Sequence, residues 1–159
     1  MMRLTFFTEK CVVDVNVNNY FYTIQQGALA LLLTTNTTEI MATIHLTKEG
    51  FLKKIADYEK NPGNFEFLGD KPALIDFYAD WCGPCKMLAP VLEDVSAKYT
   101  GKVDVYKVNV EQEEELSALF GVRSIPTLVF IPMDGRIQAS QGAMGRPQLE
   151  EAVEKILLK

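Results

Sequence analysis

The chain has 159 residues, 48% of them hydrophobic, with a net charge of −5 and a pI near 4.9. That length suits one packed domain with some chain to spare, and the acidic balance argues against a nucleic-acid footprint. No run of Lys or Arg suggests an anionic membrane surface. Three cysteines, only two of them close together, do not make a disulfide scaffold and suit a redox-active pair instead.

Residues 1–41 read as an extension with a different character from the rest of the chain. Between Val15 and Thr38 there is no charged residue, yet Asn16, Asn18, Asn19, Gln25 and Gln26 break up the apolar content. The longest apolar run, Ala28 to Leu33, is far short of the ~20 residues a membrane helix needs. It is also short and late for an export signal, and no clear Ala-x-Ala cleavage site comes after it. Asn36-Thr37-Thr38 formally matches a glycosylation sequon. Val13, Val15 and Val17 alternate as in a strand. The segment is expected to be an upstream stretch or a loosely attached arm, with Met41 as a second candidate start.

The domain is expected over residues 42–159. Thr43 to Leu46 is a short strand signal, and Thr47 can cap a helix whose Phe51, Leu52, Ile55 and Tyr58 share a face. His45, the only histidine, reads as a packed or half-exposed strand residue. Asn61-Pro62-Gly63-Asn64 opens a linker that runs to Pro72, whose Phe65, Phe67 and Leu68 are expected to cover the first helix. Ala73 to Tyr78 reads as a buried strand, and Met87, Leu88, Val91, Leu92 and Val95 recur at helical spacing. Next come a strand carrying Val103, Val105, Val108 and Val110, then a helix from Glu111 to Phe120 with Leu116, Leu119 and Phe120 inward and Gly121 at its end. Glu111, Glu113, Glu114 and Glu115 read as a solvated face at a helix start. Thr127 to Ile131 and Ile137 to Ala143 should form a hairpin, and Gln148 to Leu158 an amphipathic helix with Leu149, Val153, Ile156 and Leu157 on the sheet. Alternating strands and helices ending in a hairpin indicate an α/β fold, a mixed central sheet flanked by helices on both faces.

The chemistry concentrates in Asp80-Trp81-Cys82-Gly83-Pro84-Cys85-Lys86. The preceding strand and following helix put Cys82 at a helix N-terminus, where unpaired N–H groups and the helix dipole favour negative charge. A thiol held there loses its proton more easily. The thiolate is the nucleophile of disulfide exchange, and Cys85, one turn on, is placed to resolve the mixed disulfide. Gly83 leaves the approach to the sulfur open, and Pro84 is tolerated in a first helical turn. Asp76 lies inside an apolar run. Buried, it would have a raised pKa suited to proton transfer near neutrality; on alternation alone it falls equally well on a solvent face.

Trp-Cys-Gly-Pro-Cys-Lys preceded by Asp-Phe-Tyr-Ala-Asp resembles the active-site segment of the thioredoxin family, and the resemblance runs through residues 42–159. It implies the thioredoxin fold and a protein-disulfide reductase with catalytic Cys82 and Cys85. Asp76 matches the family's buried aspartate, which takes the proton from Cys85, and Lys107 the lysine that moderates its charge. Ser124-Ile125-Pro126-Thr127 resembles the cis-proline loop, so Trp81, Gly83, Pro84, Ile125, Pro126, Gly142 and Ala143 would rim a substrate-binding surface. Gly-Pro between the cysteines accompanies reducing members, and Tyr78 stands where many thioredoxins have a second tryptophan. Pro90 matches a helix-kinking proline. The resemblance further implies no cofactor beyond the Cys82–Cys85 disulfide. No metal is expected, since a zinc site would need two further ligands and only Cys11 and His45 are available, far away in sequence. It implies protein disulfides and a thioredoxin reductase as partners, with no nucleic acid and no membrane. A cytoplasmic monomer is expected, the alternative being a periplasmic relative with another electron donor.

Overall fold

The computed structural model describes residues 4–8, 11–15 and 43–159. The chain divides into two compact units, Met1–Thr37 and Thr38–Lys159. In the first, β1 (Leu4–Thr8) pairs antiparallel with β2 (Cys11–Val15), Thr8 opposite Cys11. Val13 and Val15 thus lie in a strand. Val17, the run Ala28 to Leu33, the Asn36 triplet and Met41 lie outside the described residues.

The second unit runs β3 (Ile44–His45), α1 (Lys48–Lys54), β4 (Ala73–Tyr78), α2 (Gly83–Lys98), β5 (Asp104–Asn109) and α3 (Glu114–Leu119). It closes with β6 (Thr127–Ile131), β7 (Gln138–Gln141) and α4 (Arg146–Ala152), which continues as a π-helical turn, Val153–Leu157. The strands form one sheet in the order β3-β5-β4-β6-β7. β5 pairs parallel with β3 and β4, and β6 pairs antiparallel with β4 and β7. The mixed sheet of the thioredoxin α/β fold is therefore present. No described helix is long and apolar enough to cross a membrane.

β4 is central and covered on both faces, which is why its sequence is an almost unbroken apolar run. Ala73, Ile75 and Phe77 pack with Phe51 and Ile55 of the α1 segment and Leu116 of α3. Leu74 faces the other way, into Leu88, Leu92 and Val95 of α2 and Leu149 of α4. Thr47 caps α1 as expected, its side chain accepting the Gly50 N–H. Phe65 and Phe67 pack against the α1 side of the core, whereas Leu68 is exposed.

Further expectations are corrected. The helix after β5 begins at Glu114, not Glu111, because the Gln112 and Glu113 N–H groups turn back onto the Asn109 carbonyl. So short a helix presents one inward position, Leu116; Leu119 is 48% exposed, while Phe120 packs its ring on Phe51 and Phe77 at 5.6 and 5.4 Å. Met87 is 69% exposed, since Leu88 beside it takes the inward direction. The glutamates are exposed or half-exposed, as expected, and also find partners: Glu113 accepts the Lys48 N–H at 2.9 Å, and Glu115 accepts from Lys48 Nζ and the Tyr58 hydroxyl. They tie α3 to the start of α1.

Leu116→Ala should cost about 2–5 kcal/mol of unfolding free energy through loss of a buried side chain. Leu119→Ala should stay within about 0.5 kcal/mol. Urea unfolding followed by circular dichroism measures both, and comparable losses would contradict the assignment of faces.

Candidate active site

β4 ends at Tyr78, and the chain turns through Ala79, Asp80 and Trp81 into α2. Cys82 is the residue capping that helix, with extended backbone (φ −78°, ψ 109°), and its Sγ accepts the Cys85 N–H at 3.2 Å. A side-chain atom at this position meets an N–H that has no partner within the helix. Here that atom is sulfur. Cys82 and Cys85 are joined by a disulfide, Cα atoms 5.3 Å apart. Pro84 sits in the first turn, where its missing N–H costs nothing. A Cβ on Gly83 would meet nothing within 4 Å, so the surface beside the sulfur is bare. Pro90 lies inside α2.

Both cysteines are buried and pack with Ala79, Tyr78, Val110 and Ile125. Ile125 reaches them from the loop before β6, where the Ile125–Pro126 peptide bond is cis. Thr127 Oγ1 donates to the Ser124 carbonyl at 2.6 Å, closing that loop from below. The Pro126 carbonyl accepts the Gly142 N–H at 2.8 Å. Gly142 adopts φ 91°, a region that favours glycine, so the chain leaving β7 can swing against the proline. Ala143, next in sequence, is exposed.

Asp76 is 1% exposed and belongs to the α2-facing side of β4, with Leu74. Its Oδ1 is the one buried side-chain oxygen or nitrogen without a hydrogen-bond partner among the described residues. Burial pushes its pKa up to about 7, and the Lys107 charge pulls in the opposite direction. Lys107 is its register partner on β5. A cleft of about 170 Å³ connects the two with Cys85, Lys86 and Tyr78. Alternation alone left the side of Asp76 open. The structure settles it: both faces of β4 are inside.

Trp81 is 69% exposed. Its Nε1 donates to Glu111 Oε1 at 3.0 Å, and Asn109 Oδ1 accepts the Glu111 N–H at 3.0 Å. Asn109 Nδ2 also reaches Asp80 Oδ2 at 3.5 Å. The turn between β4 and α2 is thereby laced to the end of β5. Sequence reading placed Glu111 on a solvated helix face and gave Asn109 no role. The signal available was an amide closing a buried strand, a residue type that needs polar partners there.

No cluster of three or more His, Cys, Asp or Glu side chains that could hold a metal occurs among the described residues. Cys11 sits in β2 and His45 in β3. The reactive group the site contains is the disulfide itself.

The Thioredoxin family profile matches residues 42–155. The thioredoxin of Borreliella burgdorferi is 48% identical over 114 residues, 72% of this chain and 93% of its own length. That of Haemophilus influenzae is 44% identical over 99 residues, 60% of this chain and 92% of its own. Among solved structures, chloroplastic thioredoxin z superposes with a TM-score of 0.60 at 30% identity, over 71% of this chain and 92% of that one.

The folded Asp76 titrates near 7 against an ordinary 3.8, so the folded protein holds a proton that the unfolded chain releases. The stability linked to that proton is complete below about pH 4 and is lost as pH rises through about 7. Relative to wild type, Asp76→Ala should therefore gain stability across that window, by up to about 4 kcal/mol. Urea unfolding of the disulfide-intact proteins from pH 4 to 8 reads it, and parallel profiles would refute the burial of a protonated carboxyl. Glu111→Ala should leave stability within about 1 kcal/mol while lowering Trp81 fluorescence anisotropy, because the indole loses its anchor.

Proposed function

The chain belongs to the thioredoxin family and is a thiol–disulfide oxidoreductase, and on that premise we propose that it works in the reducing direction on protein disulfides. The observation that carries this reading is the Cys82–Cys85 bridge at the start of α2, with Cys82 Sγ already accepting a backbone N–H. A donor aimed at sulfur stabilises a thiolate more than a thiol.

Reduced Cys82 attacks one sulfur of a substrate disulfide. The substrate S–S bond breaks, a mixed disulfide forms through Cys82, and the departing sulfur takes up a proton. Cys85 then gives its proton to Asp76, directly or through water in the cleft they share, and attacks Cys82 Sγ. The second substrate sulfur leaves as a thiolate and takes up a proton from Asp76 or water, and the Cys82–Cys85 bond closes. Two electrons pass from the pair to the substrate, and a thioredoxin reductase returns them. Asp76 suits this role because it is buried beside Cys85 and titrates near neutrality. Lys107 keeps its carboxylate form accessible.

Trp81, Gly83, Pro84, Ile125, Pro126, Gly142 and Ala143 form the docking surface in this reading. Support comes from the bare face at Gly83, the packing of Ile125 on both cysteines and the Gly142–Pro126 hydrogen bond. A substrate segment would lie extended along Ile125, adding itself as a strand does. Few charges sit on this rim, so many polypeptides can approach. The protein would act as a cytoplasmic monomer, with no nucleic-acid or membrane partner.

The test is turnover of a disulfide protein with NADPH and a thioredoxin reductase. Cys82→Ser should fall to background, and activity surviving it would end the proposal. Cys85→Ser should accumulate a mixed disulfide visible on a non-reducing gel. Asp76→Ala should slow substrate release roughly tenfold at pH 7 and converge on wild type above about pH 9, where the thiol ionises unaided.

A further inference from the structure

Tyr78 ends β4 in the middle of an arrangement that the exchange chemistry does not by itself require. His45, Lys107 and Asp76 form one row across β3, β5 and β4: His45 is the register partner of Lys107, and Lys107 that of Asp76. Tyr78 lies two residues beyond Asp76 on the same side of β4. Lys107 Nζ sits over its ring, 5.0 Å from the centroid, and the His45 ring packs on it at 6.3 Å, tilted by 60°. Tyr78, Lys107 and Asp76 all line the cleft that reaches Cys85.

The Lys107 ammonium is attracted to the Asp76 carboxylate, but hydration competes for it and its flexible stem leaves its position open. A ring face within about 6 Å adds a second, directional attraction, worth about 0.5–2 kcal/mol depending on how dry the site is. The ring covers one side of the ammonium and attracts it.

We propose that Tyr78 is a positioning residue: its ring holds the Lys107 ammonium at the mouth of the Asp76 cleft, and through Lys107 governs when Asp76 releases its proton. This rests on the roles of Asp76 and Lys107 in the proposed exchange reaction. The charged and titratable groups around Asp76 are Lys107 on β5, Cys85 and Lys86 on α2, Asp80 in the turn after β4 and Tyr78 on its own strand. His45 of β3 lies behind Tyr78. The paired residue on β6 is Leu128, which carries no charge. Burial, and after it the Asp80 charge, raises the Tyr78 pKa, so the phenol stays neutral where Asp76 titrates. Its contribution is the ring face.

The experiment is a double-mutant cycle read by NMR titration of the Asp76 carboxyl carbon in the disulfide-intact protein, where neither active-site cysteine titrates. Lys107→Met should raise the Asp76 midpoint, since it removes a positive charge that favours the carboxylate. In a Tyr78→Leu background the same substitution should raise it by roughly half as much or less; in a Tyr78→Phe background, which keeps the ring, by the full amount. Comparing differences within each background cancels the change in burial that Tyr78→Leu causes. Should Tyr78→Leu not fold, Tyr78→Met replaces it at similar volume. An equal rise in the Leu or Met background overturns the role of Tyr78 and leaves that of Lys107 standing. No rise in the wild-type background overturns both.

Discussion

A carboxyl group buried in the central strand is the constraint to which the neighbourhood of the disulfide is fitted. Asp76 has apolar neighbours along its strand, Leu74 within the α2-facing core and Ile75 and Phe77 on the other side, and one of its oxygens has no hydrogen-bond partner. An ionised carboxylate in such surroundings is costly enough that the group holds its proton instead, hence a pKa near 7. Hydrogen bonds to both oxygens would have relieved the cost and removed the proton affinity with it. The unpaired oxygen and the raised pKa both accompany the burial of this one group.

Above this carboxyl the chain has to deliver a sulfur to a helix N-terminus without burying it out of reach. The strand–turn–helix junction does so with little choice of residue. Cys82 takes the capping position, Pro84 fits the first turn, and Gly83 leaves the outer face bare. The cis peptide before Pro126 and the positive φ at Gly142 bring two further loops to the same end of the sheet, where Gly142 bonds the Pro126 carbonyl. Asn109 and Glu111 at the end of β5 then bond the turn, so Trp81 is exposed yet anchored.

Much of this was legible in the chain, for identifiable reasons. The apolar run through β4, the Gly-Pro between cysteines and the Thr47 cap are local signals with local causes, and each sits where pattern placed it. What pattern could not resolve depended on neighbours distant in sequence. Alternation cannot say which side of a strand is dry when both are, so Asp76 needed the helices on both faces to settle it. Leu119 and Met87 are apolar residues at plausible helical spacing that face water, because a six-residue helix and an occupied neighbouring position leave them no core to enter. Glu111, Glu113 and Glu115 looked alike as a charge run; folded, one holds Trp81, one the start of α1 and one Lys48 with Tyr58. Composition gives charge, and only topology gives a charge its partner.

Tyr78 shows how the same reasoning extends to a substitution within a family motif. An aromatic ring at the end of β4 meets two demands: it closes the cysteine cluster together with Val110 and Ile125, and it offers a face to Lys107. Either Trp or Tyr satisfies the first, by bulk. The second is a matter of electrostatics, since an indole face attracts a cation more strongly than a phenol face. A phenol therefore holds the ammonium less tightly and, with Asn109 as a hydrogen-bond partner and Asp80 as a nearby charge, adds a polar edge that an indole would present elsewhere. The proton affinity of the carboxyl below is then set jointly by how dry the strand is and how firmly one lysine is kept beside it. The first is a property of the fold. The second rests on two side chains, Lys107 and the ring beneath it.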